Sequence, residues 1–147
     1  PQGPKGDPGP VGPAGPPGAG AVLFWGSSTL PANSTRFMPP GRMDSSPPIG
    51  SVYRMRMPRA GTLRNLYVRH NSAAGPTSGP LTYTVFVNNV ATAITIVGML
   101  TTVVSPTPGG SSSPVAVVVA QGDDVAIQVK NLGAAAGVDS MVTLELA

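Results

Sequence analysis

Glycine recurs at every third position from Gly3 through Gly6, Gly9, Gly12 and Gly15 to Gly18. No other feature of the chain narrows its folds so far. Proline occupies many of the positions between, at Pro1, Pro4, Pro8, Pro10, Pro13, Pro16 and Pro17. A strict Gly-X-Y period of this kind suits three polyproline II strands wound about an axis with room only for hydrogen. Proline presets φ near the value such a helix needs, which lowers the entropy lost on forming it. The run is read as a collagen-type stalk, with a homotrimer as its consequence. Its length corresponds to a rod of roughly 55 Å at about 3 Å per residue. Six triplets are marginal alone, so whatever follows should hold three chains in register. Lys5, followed two residues later by Asp7, places an opposite-charge pair where staggered strands can share it.

The period stops at Ala19-Gly20, and the remaining residues differ in kind. The expected division is a stalk over 1–20 and a head domain over 21–147. A segment of that size buries roughly two-thirds of its unfolded surface as one domain. The chain has no cysteine, which excludes a disulfide framework, thiol chemistry and Cys-ligated metals. No run of about eighteen apolar residues occurs, so no membrane-spanning helix is expected. The chain begins inside a repeat without Met, which reads as the C-terminal piece of a longer polypeptide.

The head reads as strands. Ala21-Val22-Leu23-Phe24-Trp25 is the first, leading out of the stalk. Gly26 to Gly50 is rich in Ser, Pro, Asn and Gly, and reads as a long loop with a short strand near Arg36-Phe37-Met38. Ser51 to Met57 alternates, with Arg54 and Arg56 on one face and Tyr53, Met55 and Met57 on the other. Further strands are expected at Thr62–His70, Leu81–Val87, Val90–Val97, Leu100–Val104, Pro114–Val119, Asp124–Lys130 and Val138–Leu146. Asn88-Asn89 supplies hairpin chemistry and Gln121-Gly122-Asp123 a turn. Short strands at near-regular spacing without helical periodicity imply an antiparallel β-sandwich, with a jelly roll as the expected topology. The unbroken apolar run Val115–Val119 predicts a strand buried on both sides, the second side against another subunit.

Charge is unevenly placed. Of nine cations seven are arginines, at Arg36, Arg42, Arg54, Arg56, Arg59, Arg64 and Arg69, and no acid lies between Asp44 and Asp123. Arginine's planar fork suits sulfate, phosphate and carboxylate. Three copies would add avidity toward a polymeric anion. Arg36, Arg42, Arg59 and Arg69 are the candidate ligands for an acidic or sulfated polysaccharide. Arg54 and Arg56, sharing a strand face with Val52, suit a subunit interface instead. The plainer reading is that the arginines pair across interfaces or keep the surface soluble.

Little else suggests chemistry. His70 is the sole histidine and has no neighbouring second ligand, so neither zinc nor general-base work is expected. Asp123-Asp124 reads as a turn before it reads as a calcium site. No serine has triad context. Glycoside hydrolysis needs a paired carboxylate in a cleft, and the head offers only Asp44, Asp123, Asp124, Asp139 and Glu145. No cofactor and no enzymatic activity are expected, nor a nucleic-acid partner, the last because base-stacking aromatics are not interleaved with the basic residues. Asn33-Ser34-Thr35 matches a glycosylation acceptor, meaningful only in a eukaryotic secretory pathway.

The layout resembles bacterial and phage collagen-like surface-fibre proteins, including Bacillus spore filaments and collagen-bearing phage fibres. The stalk carries that resemblance over Pro1–Gly18. In the head it is carried by Met57-Pro58-Arg59-Ala60-Gly61-Thr62-Leu63-Arg64-Asn65-Leu66, by Val85 to Ala93 and by Val119-Ala120-Gln121-Gly122-Asp123. The vertebrate complement-like head is less similar, because its aromatic-rich pattern is absent. The resemblance implies a trimeric jelly-roll head that aligns the stalk, displayed on a cell or virion surface. It further implies a tip that attaches to a surface, with a purely structural projection as the alternative.

Overall fold

The computed structural model describes residues 20–42, 53–70, 81–98, 106–107, 115–133 and 138–147, together with Gly3. Ten strands occur among them. They are β1 (Ala21–Leu30), β2 (Ser34–Phe37), β3 (Met55–Arg56), β4 (Gly61–His70), β5 (Leu81–Val87), β6 (Val90–Gly98), β7 (Pro106–Thr107), β8 (Val117–Val119), β9 (Asp124–Asn131) and β10 (Val138–Leu146). All pairings are antiparallel and form two five-stranded sheets. Sheet I runs β1-β10-β4, with β7 and β8 both along the far edge of β4. Sheet II runs β2-β9-β5-β6, with β3 continuing β2 along the same edge of β9. Apart from the β5–β6 hairpin, and counting β2/β3 and β7/β8 as interrupted strands, the chain changes sheet at every step.

The period-2 alternation explains the core. Leu81, Tyr83 and Val85 on β5 face Leu63, Leu66 and Val68 on β4 and Val142, Leu144 and Leu146 on β10, all buried. Burial of such side chains stabilises by roughly 1.5–3 kcal/mol each. Trp25 on β1 and Ile127 on β9 complete the middle of the core. The Tyr83 hydroxyl meets the Ser140 hydroxyl at 2.6 Å, a buried hydrogen bond that ties sheet II to sheet I. Burial pushes the Tyr83 phenol above its ordinary range, so it stays neutral.

Four local devices shape the strands. Asn88 and Asn89 both take positive φ, 49° and 70°, as a two-residue type I′-like turn requires. Asn65, at φ 52°, sits in a bulge of β4, which shifts the inward set from Leu63 to Leu66. Thr29 at φ 55° bulges β1, and its N–H donates to Asp139 Oδ1 at 2.9 Å. Finally, the segment after β2 changes sheets. Met38 N–H donates to Ile127 in sheet II, whereas Pro40 bridges Trp25 and Gly41 N–H donates to Phe24 in sheet I.

The architecture agrees with the expected antiparallel sandwich, with three differences in detail. β1 runs on to Leu30, so Gly26–Leu30 is strand rather than loop. Small Gly and Ser residues conceal it, because no apolar alternation marks a stretch whose place is set by its register with β10. Within one protomer, Val115–Val119 is not buried on both sides. It lies on an edge of β4 with Val119 inward and Val118 80% exposed. Of the strand expected over Ser51–Met57, only Met55–Arg56 is strand among the described residues, and Met57 is buried in the protomer's own core. The expected strand Leu100–Val104, residues 43–52 and the stalk lie outside the described residues, Gly3 excepted.

Candidate functional site

The basic residues are dispersed by the fold. β1 starts opposite Leu146, so one end of the sandwich adjoins the Gly-X-Y run in sequence. Arg56, Arg59 and Arg64 gather at that end. Arg56 pairs with Asp124 (Nε–Oδ1 3.1 Å) and Arg64 with Glu145 (Nη2–Oε1 2.8 Å). Two of the seven arginines are thus engaged inside the chain rather than waiting for another subunit. Arg59 reaches the Leu146 carbonyl at 3.4 Å.

The four candidate ligands do not form one patch. Arg42 lies over the Tyr53 ring, 5.6 Å from its centroid, and donates to the Tyr53 hydroxyl at 3.3 Å. Arg36 pairs in register with Val129 and shares its inward-facing side at the edge of sheet II, half-buried, with its Nε lacking a partner among the described residues. Arg59 and Arg69 lie just before and near the end of ten-residue β4, roughly 30 Å apart at about 3.3 Å per residue. Charge density along the sequence therefore overstated charge density in space.

The turns at the end of the sandwich where β1 begins are locked together. Asp123 accepts from Ala120 N–H at 2.7 Å and from Asn88 Nδ2 at 2.8 Å, while Asn88 Oδ1 accepts from Asp124 N–H at 2.9 Å. Met57 and the Asp123–Gly122 backbone exchange two further bonds, with Gly122 at φ 88°. These contacts explain the acidities. The Asn88 amide, then the Ala120 N–H, holds Asp123 below the usual carboxylate range. The Arg56 guanidinium does the same for Asp124. Arg64, then Asn65 at 2.6 Å, lowers Glu145. Asp123-Asp124 is a structural turn. Among the described residues no group of three or more His, Cys, Asp and Glu side chains could hold a metal ion. No helix among them is long and apolar enough to cross a membrane. The side chain of His70 lies outside what is described, and Asn33 is an exposed turn residue at φ 47°.

Sequence reasoning missed the outer face of sheet I. Val22 is 70% exposed, Tyr67 49% and Met141 40%, and with Val118 they make up four of the seven exposed large hydrophobics described. The register sets them side by side. Val22 lies opposite Glu145, Phe24 opposite Thr143 and Gly26 opposite Met141, while Thr143 pairs on its other side with Tyr67. Two shallow hollows of about 200 and 180 Å³ share Tyr67 and Thr143 in their walls. The signal was present in the alternation of these strands, but no single strand carries more than two of these residues. No protein-family model matches the chain and no curated protein matches its sequence.

Proposed function

We propose that the chain is the head of a homotrimeric collagen-type surface fibre, a non-enzymatic domain that brings three chains together and aligns their Gly-X-Y runs. One observation carries this reading: six in-phase glycine triplets lead, within three residues of Gly18, into the first strand of the sandwich. A head that holds three copies of residue 21 together supplies the nucleus that a short triple helix lacks. The sheet-switching order of the strands supports a jelly roll as the finer topology. The reading places the protein on a cell or virion surface, as a structural projection. Sedimentation equilibrium of the full chain should give three times the monomer mass, and circular dichroism should show a polyproline-type signal melting before the β signal. Gly9→Val should lower the first transition and leave the second nearly unchanged. A monomer at micromolar concentration overturns the proposal.

A second reading, attachment to an acidic or sulfated polysaccharide, is favoured by one arrangement. Arg42 lies on Tyr53 beside exposed Arg54, and exposed Arg59 sits at the end of the sandwich where β1 begins. Heparin binding should then weaken steeply with salt, since the Debye length falls below about 10 Å above 0.1 M. Arg42→Ala with Arg59→Ala should weaken it more than Arg69→Ala or Arg36→Ala. No retention on heparin at low salt would leave the structural role alone.

A further inference from the structure

We infer that the outer face of sheet I, centred on Tyr67, Val22 and Met141, is the surface each protomer buries against the next copy of this chain. The inference rests on the trimeric reading above and names the face that reading leaves open. The length of the connection is the first argument. If Gly18 lies on the axis of a triple helix, Val22 is four residues away and no more than about 14 Å from that axis. The start of β1 is therefore held near the threefold axis in all three copies. Strand β1 belongs to sheet I, and Val22 points to its outer side, next to Asn65, Tyr67, Thr143 and Glu145. With the outer side of sheet I turned to the axis, sheet II, about 10 Å behind it, lies farther out.

The chemistry of the two faces is the second argument. The outer rows of sheet II carry Thr82, Thr84, Thr95, Gln128 and Lys130, side chains that water satisfies, together with exposed Val97 opposite Thr82 on the β6 edge. Its two aromatic rings, Phe37 and Phe86, pack edge-to-face on each other, with centroids 5.6 Å apart. On sheet I, among the described residues, the apolar side chains have no partner of that kind. Their rim is polar, with Arg69 at one end and the Arg64–Glu145 pair at the other. An apolar centre with a charged rim is the anatomy of a protein interface. A threefold contact of this type is heterologous and closes after three copies, so the number of chains that the stalk demands is the number at which the face is covered.

The absence of native cysteine makes the test direct. A nitroxide is attached to Met141→Cys in one full-length sample and to Thr84→Cys in another, and distances between copies are measured by pulsed electron resonance. The labels on Met141→Cys should lie closer together, by more than the about 10 Å that separates the sheets. In parallel, Tyr67→Lys with Met141→Lys should raise the concentration at half-dissociation of the trimer about a hundredfold or more while the β signal persists, because two charges would be buried unpaired. Thr84→Lys should leave it unchanged. If the Thr84→Cys labels are the closer pair, or Thr84→Lys dissociates the trimer and the sheet I variant does not, the face is wrong and the trimer stands. A monomeric wild-type chain overturns the trimer itself.

Discussion

The two outer faces of the sandwich are built on the same alternation, yet they are dressed for different surroundings. Sheet II presents threonines, a glutamine, a lysine and, on its β6 edge, Val97, and its two half-buried rings shield each other. Sheet I presents Val22, Tyr67 and Met141, each 40% or more exposed, around a polar rim. Inside, the faces are indistinguishable, since both contribute fully buried aliphatic side chains to one core. Stability of the protomer is thus shared by the sheets, whereas the proposed association falls to one of them. A lone apolar side chain on a surface needs no explanation, but a contiguous group marks an interaction site.

The largest effects should test the shared core. Leu144→Ala in sheet I and Ile127→Ala in sheet II should each cost about 2–5 kcal/mol, read from urea unfolding, because both side chains are fully buried. A cost confined to one sheet would mean that the sheets unfold separately.

Next comes the end of the sandwich where β1 begins, where the sheets are closed by different means. In sheet I the strands approach too closely for a side chain. A Cβ on Gly61 would stand 2.7 Å from the Ala147 carbonyl oxygen, a backbone atom that cannot turn away. Gly61→Val should therefore cost about 1–3 kcal/mol by crowding. In sheet II the closure is turn chemistry, so Asn89→Gly should be neutral or stabilise by up to about 1 kcal/mol, since glycine adopts φ 70° without strain. If Asn89→Gly destabilises as much as Gly61→Val, the distinction fails.

Acid should weaken both sheets together. Asp123, Asp124 and Glu145 have folded-state pKa values below their ordinary ones. A carboxylate lowered in this way contributes stability that is fully present above its unfolded value, about 4, and is lost as pH falls through the folded value. Stability should hold from pH 7 down to about 5 and decline below about 4. Asp124→Asn and Glu145→Gln should each flatten part of that decline, the first by freeing Arg56 and the second by freeing Arg64. A decline that begins near pH 6 would point to another group.

The smallest effect should come from the outer face of sheet II. Thr95→Ala removes a half-buried hydroxyl, 3.4 Å from that of Thr84, and should change stability by no more than about 0.5 kcal/mol, with no change in association.

Much of the fold was legible in the chain itself. Alternation located β5, β6, β9 and β10 almost to the residue, because one face of each is buried and a one-residue slip would turn it outward. Asn88-Asn89 announced its turn because few residues tolerate positive φ. What failed to show was everything that depends on strands far apart in sequence. The bulge at Asn65 depends on Glu145, eighty residues away, and β1 beyond Trp25 depends on pairing with β10. The basic cluster looked continuous because arginines close in sequence were counted together, whereas the fold sets Arg59 and Arg69 at opposite ends of a strand and hands Arg56 and Arg64 to distant carboxylates. The apolar face of sheet I is the clearest such case. Its members come from β1, β4, β8 and β10, each a plausible surface residue alone, and only sheet register, which no local pattern encodes, makes them neighbours.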